Sequence, residues 1–167
     1  MSTHHIIGID PGNSGAVAVF DPSLCHLQDL FDLPTRKQGK GGSAGAQVVD
    51  FLSLVAKLRP YATPGTMAVI EVAIVKPPQK LSAAKTIGRS YEAVLCALAS
   101  LGIGVREIAP MDWKARLGLG DEKADSIAMA SSLYPSHRDA FMTRKSGDRA
   151  EAALIARAVL NNNGSIA

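Results

Sequence analysis

Residues 5–20 read HIIGIDPGNSGAVAVF. This is an apolar strand that ends in an aspartate, turns through Pro-Gly-Asn-Ser-Gly, and returns as a second apolar strand. Asp10 follows Ile6, Ile7, Gly8 and Ile9, so its carboxylate is expected at the rim of a buried sheet, where an unpaired charge is costly. Turn chemistry explains the same residue in another way. Asp before Pro-Gly commonly opens a turn, with Pro presetting φ at one central position and Gly supplying positive φ at the next. The stretch by itself leaves both readings open.

Working outward, residues 5–10 and 15–20 are expected to form a hairpin, and 24–33 a less regular third strand of the same meander. PTRKQGKGGSAG (34–45) has nothing to pack and is expected to be a mobile loop unless a ligand orders it. In AQVVDFLSLVAKL (46–58) the spacing predicts a helix with Val48, Val49, Leu52, Val55 and Ala56 on one face, ending before Arg59-Pro60. TMAVIEVAIV (66–75) is an almost unbroken apolar run of strand length, which implies a strand buried on both faces. A long helix is predicted over 82–101, ended by Gly102, then a short strand in GVREIAP (104–110). PMDWKARLGL (110–119) opens a helix with Pro at its first position, and KADSIAMASSLYP (123–135) is a further helix. A polar loop over 135–147 leads to the closing helix DRAEAALIARAVL (148–160). There are no internal repeats. Three meandering strands followed by alternating helices and strands imply an α/β fold: a mixed five-stranded sheet with helices on both faces.

A chain of 167 residues that is 47% hydrophobic fits a single domain, 1–167, with a core that needs no staples. Cys25 and Cys96 each lie in an apolar segment without partners at zinc-ligand spacing, so both are expected to be buried free thiols in a reducing, cytoplasmic setting. The start, MSTHHIIG, has no basic region or long apolar stretch, and no apolar run reaches bilayer length. The expectation is a protein neither secreted nor membrane-spanning. Its formal charge of +3 is only mildly basic, but it rises by four if four carboxylates serve as metal ligands. Local charge says more. VAIVKPPQKLSAAKTIGRSY (72–91) carries Lys76, Lys80, Lys85 and Arg89 without one acid, and Arg36, Lys37 and Lys40 are also unopposed. Each cluster alone reads as a solvated basic face; several together fit a polyanionic partner.

Three more acids stand out. Glu71 lies in the middle of AVIEVAI, where a charge inside a buried strand must be paired, protonated or bound to a cation. The alternative is an edge strand with Glu71 facing water. Few lysines or arginines lie nearby in sequence to pair with it, which favours a metal. Asp148 and Glu151, three apart, project from one face of the last helix. The same spacing also suits a capping box with Asp148 as N-cap and Glu151 at the third position. Small residues on that face, Ala152 and Ala158, would let the helix approach the sheet closely.

The ordered set IGIDPGNSGAVAV, AVIEVA, SAAKTIGRSYEAVLCALASLGIGVREIAPMDWKARLGLGDEKADS and DRAEAALIA resembles RuvC-type Holliday junction resolvases, and looks most like the short versions carried by phages. The resemblance spans residues 6–160. It implies a ribonuclease-H-like fold in which the first strand, the fourth strand and the last helix bring acids together at one end of the sheet. By motif, Asp10 matches the first-strand aspartate, Glu71 the fourth-strand glutamate, and Asp148 with Glu151 the final acidic pair. All four are then catalytic and metal-ligating. All-oxygen ligation favours hard cations, so Mg²⁺ is expected, with Mn²⁺ as substitute. Two ions about 4 Å apart would clamp a phosphodiester, one activating water and the other stabilising the leaving 3′ oxygen.

The implied activity is metal-dependent endonucleolytic resolution of four-way or other branched DNA by a homodimer. The helix from Ser82 to Leu101 is expected to form much of its interface. DNA-binding residues are expected at Lys76, Lys80, Lys85 and Arg89 on one side of the acidic cleft and Arg144, Lys145 and Arg149 on the other. Lys114 and Lys123 lie in the segment that supplies basic residues to the cleavage site in the family. EVAIVKPPQ lacks the Gln and the aromatic wedge that many members carry, so Ile74 or Val75 is expected to insert into the junction instead. The fourth acid is Glu where bacterial members usually have Asp. Two other readings share these residues: a related ribonuclease-H-like RNA-processing nuclease, and a non-catalytic module that binds branched DNA. A sugar-kinase or actin-like ATPase needs two such domains and a second Gly-rich loop, and this chain has neither.

Overall fold

Successive side chains of a strand face opposite sides of its sheet. In strand β1 (Ile6–Asp10) this sends Ile7 and Ile9 into one core and Ile6 into another, with Gly8 and Asp10 sharing the parity of Ile6. The computed structural model describes residues 4–12, 14–37, 47–73, 81–143 and 146–160. The further strands are β2 (Ala16–Asp21), β3 (His26–Asp32), β4 (Thr35–Lys37), β5 (Gln47–Val49), β6 (Met67–Glu71) and β7 (Gly104–Ile108). The helices are α1 (Phe51–Leu58), α2 (Leu81–Ser100), α3 (Pro110–Arg116), α4 (Lys123–Leu133) and α5 (Ser146–Ala158). The main sheet runs β3-β2-β1-β6-β7. The meander β1-β2-β3 is antiparallel, and β6 and β7 are added parallel to β1. This is the expected mixed five-stranded sheet.

Helices cover both faces. On one side, Ile7, Ile9, Val17, Val19, Ala68 and Ile70 pack against Leu54 and Leu58 of α1 and Val94, Ala97 and Leu98 of α2. On the other, Ile6, Ala18, Phe20 and Val69 meet α5, with Trp113 of α3 and Ala130 of α4 beside it. The approach of α5 depends on Gly8. A Cβ there would collide with the carbonyl oxygen of Ala152 and lie 2.6 Å from the Ala156 nitrogen and 2.9 Å from its Cβ. Glycine in β1 and alanines in α5 thus bring the helix backbone onto the middle strand.

Several expectations are corrected. Residues 46–58 are not one helix: Val48 and Val49 pair in β5 with Arg36 and Thr35 of β4. The β-branched pair favours extended backbone. Asp50 then caps α1, its carboxylate accepting from the Ser53 amide at 3.4 Å and the Ser53 hydroxyl at 2.8 Å. That start sets the helical phase, so Leu54 and Leu58 are buried and Leu52 is 75% exposed. Both cysteines are exposed: Cys25 sits in the β2–β3 turn at φ 48°, and Cys96 is turned outward once Val94, Ala97 and Leu98 face the core. The segment expected as a polar loop contains a 3-10 helix, Pro135–Met142, because Phe141 is drawn into the core. In the first turn, positive φ is not found at Gly12. Gly15 is required instead for closeness, its amide donating to the Gly12 carbonyl at 2.8 Å, where a Cβ would strike the Asp10 carbonyl oxygen. Residues 38–45, the rest of the expected mobile loop, lie outside the described residues. Among the described residues no helix is long and apolar enough to cross a membrane.

Candidate active site

Strand parity and register place the acids. β1 and β6 run parallel with Ile9 opposite Ile70, so one further step sets Asp10 and Glu71 abreast at the ends of their strands, on the α5 side. Glu71 is the last residue of β6, at its rim rather than its middle. α5 crosses that face at Gly8 and presents Asp148 and Glu151 from its first two turns. Carboxylate oxygens of Asp10, Asp148 and Glu151 lie within 4.8 Å of one another. Glu71 lines the same cleft, about 670 Å³ in volume, together with Ser14, Ile87, Lys114, Asp121 and Lys123.

Each acid has a specific partner. The Gly12 amide donates to Asp10 Oδ1 at 3.0 Å, which is how the Pro-Gly turn serves the acid that precedes it. The Ser14 hydroxyl donates to Asp148 Oδ2 at 2.6 Å, and the Lys123 ammonium to Asp148 Oδ1 at 2.7 Å. Lys123 also lies 3.5 Å from Glu151 Oε2, and Lys114 3.5 Å from Glu151 Oε1. The Trp113 indole N–H donates to Glu71 Oε2 at 2.6 Å, and the Lys114 ammonium stands 5.4 Å from the centre of the same indole. Asp148 lies inside the first turn of α5, which begins at Ser146; its oxygens are taken by Ser14 and Lys123.

Burial and crowding shape the charges. Asp10 is pushed up from its ordinary 3.8 to about 7, chiefly by burial. The Gly12 amide opposes that rise, and the charges of Asp148, Glu71 and Glu151 add to it. Burial also raises Glu71, opposed by the Trp113 hydrogen bond and reinforced by Glu151. For Lys123, burial would favour the neutral amine, but the hydrogen bond to Asp148 and the charges of Glu151, Asp148 and Asp10 outweigh it and hold the ammonium more firmly than usual. The site is a partly desolvated pool of negative charge that two lysines neutralise incompletely.

Among the described residues, the basic side chains expected to meet DNA lie in different settings. Lys85 and Arg89 are exposed on α2. Lys114 is tucked in, its side chain 12% exposed, whereas Lys123 is 59% exposed at the cleft. Arg149 turns to β3, its Nε 2.8 Å from Asp32 Oδ1, and a further guanidinium nitrogen donates to the Ala140 carbonyl. Lys76, Lys80, Arg144 and Lys145, and the expected wedge residues Ile74 and Val75, lie outside the described residues. Sequence reasoning missed Ser14 and Trp113. Ser14 had a signal in its place within the turn after Asp10. Trp113, the chain's one tryptophan, had only its position beside Lys114.

No protein-family model matches the chain, and no curated protein matches it in sequence. Solved structures do match. The chain is similar to T. thermophilus RuvC in complex with Holliday junction substrate, at 17% identity and a TM-score of 0.65, covering 93% of both chains. It is also similar to a Thermus thermophilus RuvC structure, at 19% identity and a TM-score of 0.55, covering 92% of this chain and 93% of that one. The sheet order, the helix on its middle strand and the extent of these matches identify a RuvC-type, ribonuclease-H-like fold.

Proposed function

We propose that the chain is a structure-specific endonuclease that resolves four-way (Holliday) or other branched DNA junctions by metal-dependent phosphodiester hydrolysis, leaving 5′-phosphate and 3′-hydroxyl ends. The observation that carries this reading is the convergence of Asp10, Asp148 and Glu151 within 4.8 Å at the end of the middle strand, in a fold shared with a RuvC solved on its junction substrate.

The donor set fits a hard dication. Every ligand atom is a carboxylate oxygen, and Asp10, Asp148 and Glu151 crowd within 4.8 Å of one another, an arrangement that a dication would neutralise. Asp10, Glu71, Asp148 and Glu151 would hold Mg²⁺, or Mn²⁺ in its place, with two ions per site. When bound, such a cation would supply activation of the attacking water and charge stabilisation at the leaving 3′ oxygen. The protein's part is to fix its ligands: the Gly12 amide orients Asp10, the Ser14 hydroxyl orients Asp148, and the Trp113 indole pins Glu71.

Phosphate contacts fall to Lys85 and Arg89 on α2 and to Lys123 at the cleft, with Lys76, Lys80, Lys114, Arg144, Lys145 and Arg149 as the remaining basic set. The protein works as a cytoplasmic, phage-type, single-domain resolvase and as a homodimer through α2, since a junction with two-fold symmetry needs two active sites. The open start of α2, where Leu81 is 86% exposed, fits that interface. The deciding experiment offers a labelled synthetic four-way junction, a linear duplex and a structured RNA with Mg²⁺. Paired nicks in the junction with 5′-phosphate ends support the reading. Cleavage of RNA alone supports the RNA-processing alternative, and tight junction binding without cleavage supports a non-catalytic module.

A further inference from the structure

Two of the three clustered acids are bridged by a cation of the chain itself. Lys123 Nζ lies 2.7 Å from Asp148 Oδ1 and 3.5 Å from Glu151 Oε2. Its stem runs over Gly147 in the first turn of α5. A Cβ on Gly147 would come within 3.0 Å of Lys123 Cδ and 3.6 Å of Nζ, so the missing side chain leaves the seat open. The two sides of this bridge differ in exposure. Asp148 and Glu151 are fixed on a helix packed against the sheet, with side chains 15% and 9% exposed. Lys123 is the first residue of α4, and its flexible stem is 59% exposed, so the ammonium has an open way out. Lys114 is different: it is 12% exposed, touches one oxygen of Glu151 at 3.5 Å, and stands against the Trp113 ring. It is a built-in companion of the site.

An ammonium and a dication cannot share the same carboxylate oxygens, because like charges at such separations repel strongly in a partly desolvated site. We propose that Lys123 is a placeholder cation, which satisfies Asp148 and Glu151 in the metal-free protein and competes with the divalent ion for them. The inference rests on the metal-site reading above and deepens it: the protein's own lysine sets how readily the site loads.

The test is direct Mn²⁺ binding to the whole protein without DNA, by titration calorimetry, for wild type, Lys123→Met, Lys114→Met and Asp10→Asn. Lys123→Met is expected to bind Mn²⁺ about tenfold more tightly, the scale of a lost charge-assisted hydrogen bond, and Lys114→Met to change much less. Gly147→Ala keeps every charge but crowds the stem, and is expected to shift affinity the same way by a smaller factor. Equal Mn²⁺ affinity in wild type and Lys123→Met, or equal tightening in both lysine variants, would overturn the placeholder and leave the metal site standing. No saturable Mn²⁺ binding in any of the proteins, or binding that Asp10→Asn leaves unchanged, would overturn the metal-site reading itself.

Discussion

The indole N–H of Trp113 donates a 2.6 Å hydrogen bond to Glu71 Oε2, across 42 residues of chain and from a side chain with no solvent exposure. A buried donor on α3 thereby fixes an acid at the end of β6. Trp113→Phe removes the donor while keeping an aromatic ring. It is expected to slow single-turnover junction cleavage about tenfold with junction binding unchanged, and to cost roughly 1–3 kcal/mol of stability. Cleavage at the wild-type rate would mean that Glu71 needs no such support.

Asp10 makes stability depend on pH. Its value in the folded protein is about 7 against an ordinary 3.8, so the native state holds this proton more tightly than the unfolded chain does. The resulting stability is complete below about pH 4 and is lost as pH rises through about 7; the gap corresponds to at most roughly 4 kcal/mol. In EDTA, urea midpoints for wild type should fall between pH 5 and pH 8. Asp10→Asn should flatten that fall and be the more stable protein at pH 8, although inactive. A wild-type protein that gains stability over this range would contradict the assignment.

Gly8 is where the site's geometry depends on packing. With Ala156 nitrogen 2.6 Å from any Cβ at this position, Gly8→Ala must push α5 off β1 and carry Asp148 and Glu151 with it. The expected cost is at least about 3 kcal/mol, the upper end for overpacking against backbone. Circular dichroism with urea titration measures it, and a variant as stable as wild type would show that α5 can shift freely.

Local rules gave each acid a place but left its role open, between turn and site for Asp10 and between cap and site for Asp148 and Glu151; the convergence of the acids was what the family resemblance implied. Alternation along Ile6, Gly8 and Asp10 selects a face, and the three-residue spacing of Asp148 and Glu151 puts both on one side of a helix. The alanines of α5 also announced a close approach, with Ala152 at the contact; its partners Gly8 and Ala156 emerge only from the packing. What sequence could not supply were contacts set by tertiary structure. Nothing near Trp113 points to Glu71, and nothing near Arg149 points to Asp32. Val48 and Val49 fitted helical spacing as well as a strand, and only their pairing with β4, together with the Asp50 cap, decided between them. The cysteines were misjudged for a related reason: an apolar neighbourhood in sequence does not fix which way a helix is turned.

Basic residues should separate by role in the salt dependence of junction binding. Lys85→Ala and Arg89→Ala, on the exposed side of α2, are each expected to flatten the log-log slope by about one. Arg149→Ala should flatten it by less and lower thermal stability instead, because its guanidinium is held by Asp32 at 2.8 Å. Unchanged slopes in both α2 variants would mark that face as solvated surface.

Acids from β1, β6 and α5 are proposed to form one metal-dependent nuclease site. This is tested most directly by cleavage of a synthetic four-way junction in Mg²⁺ by wild type, Asp10→Asn, Glu71→Gln and Asp148→Asn, with binding measured in parallel. Paired nicks by wild type are expected, none without divalent metal, and loss of cleavage by at least about a hundredfold in each variant, while junction affinity is kept or increased as negative charge is removed. Near-wild-type cleavage by Glu71→Gln or Asp10→Asn, or nicking that persists in EDTA, would contradict it.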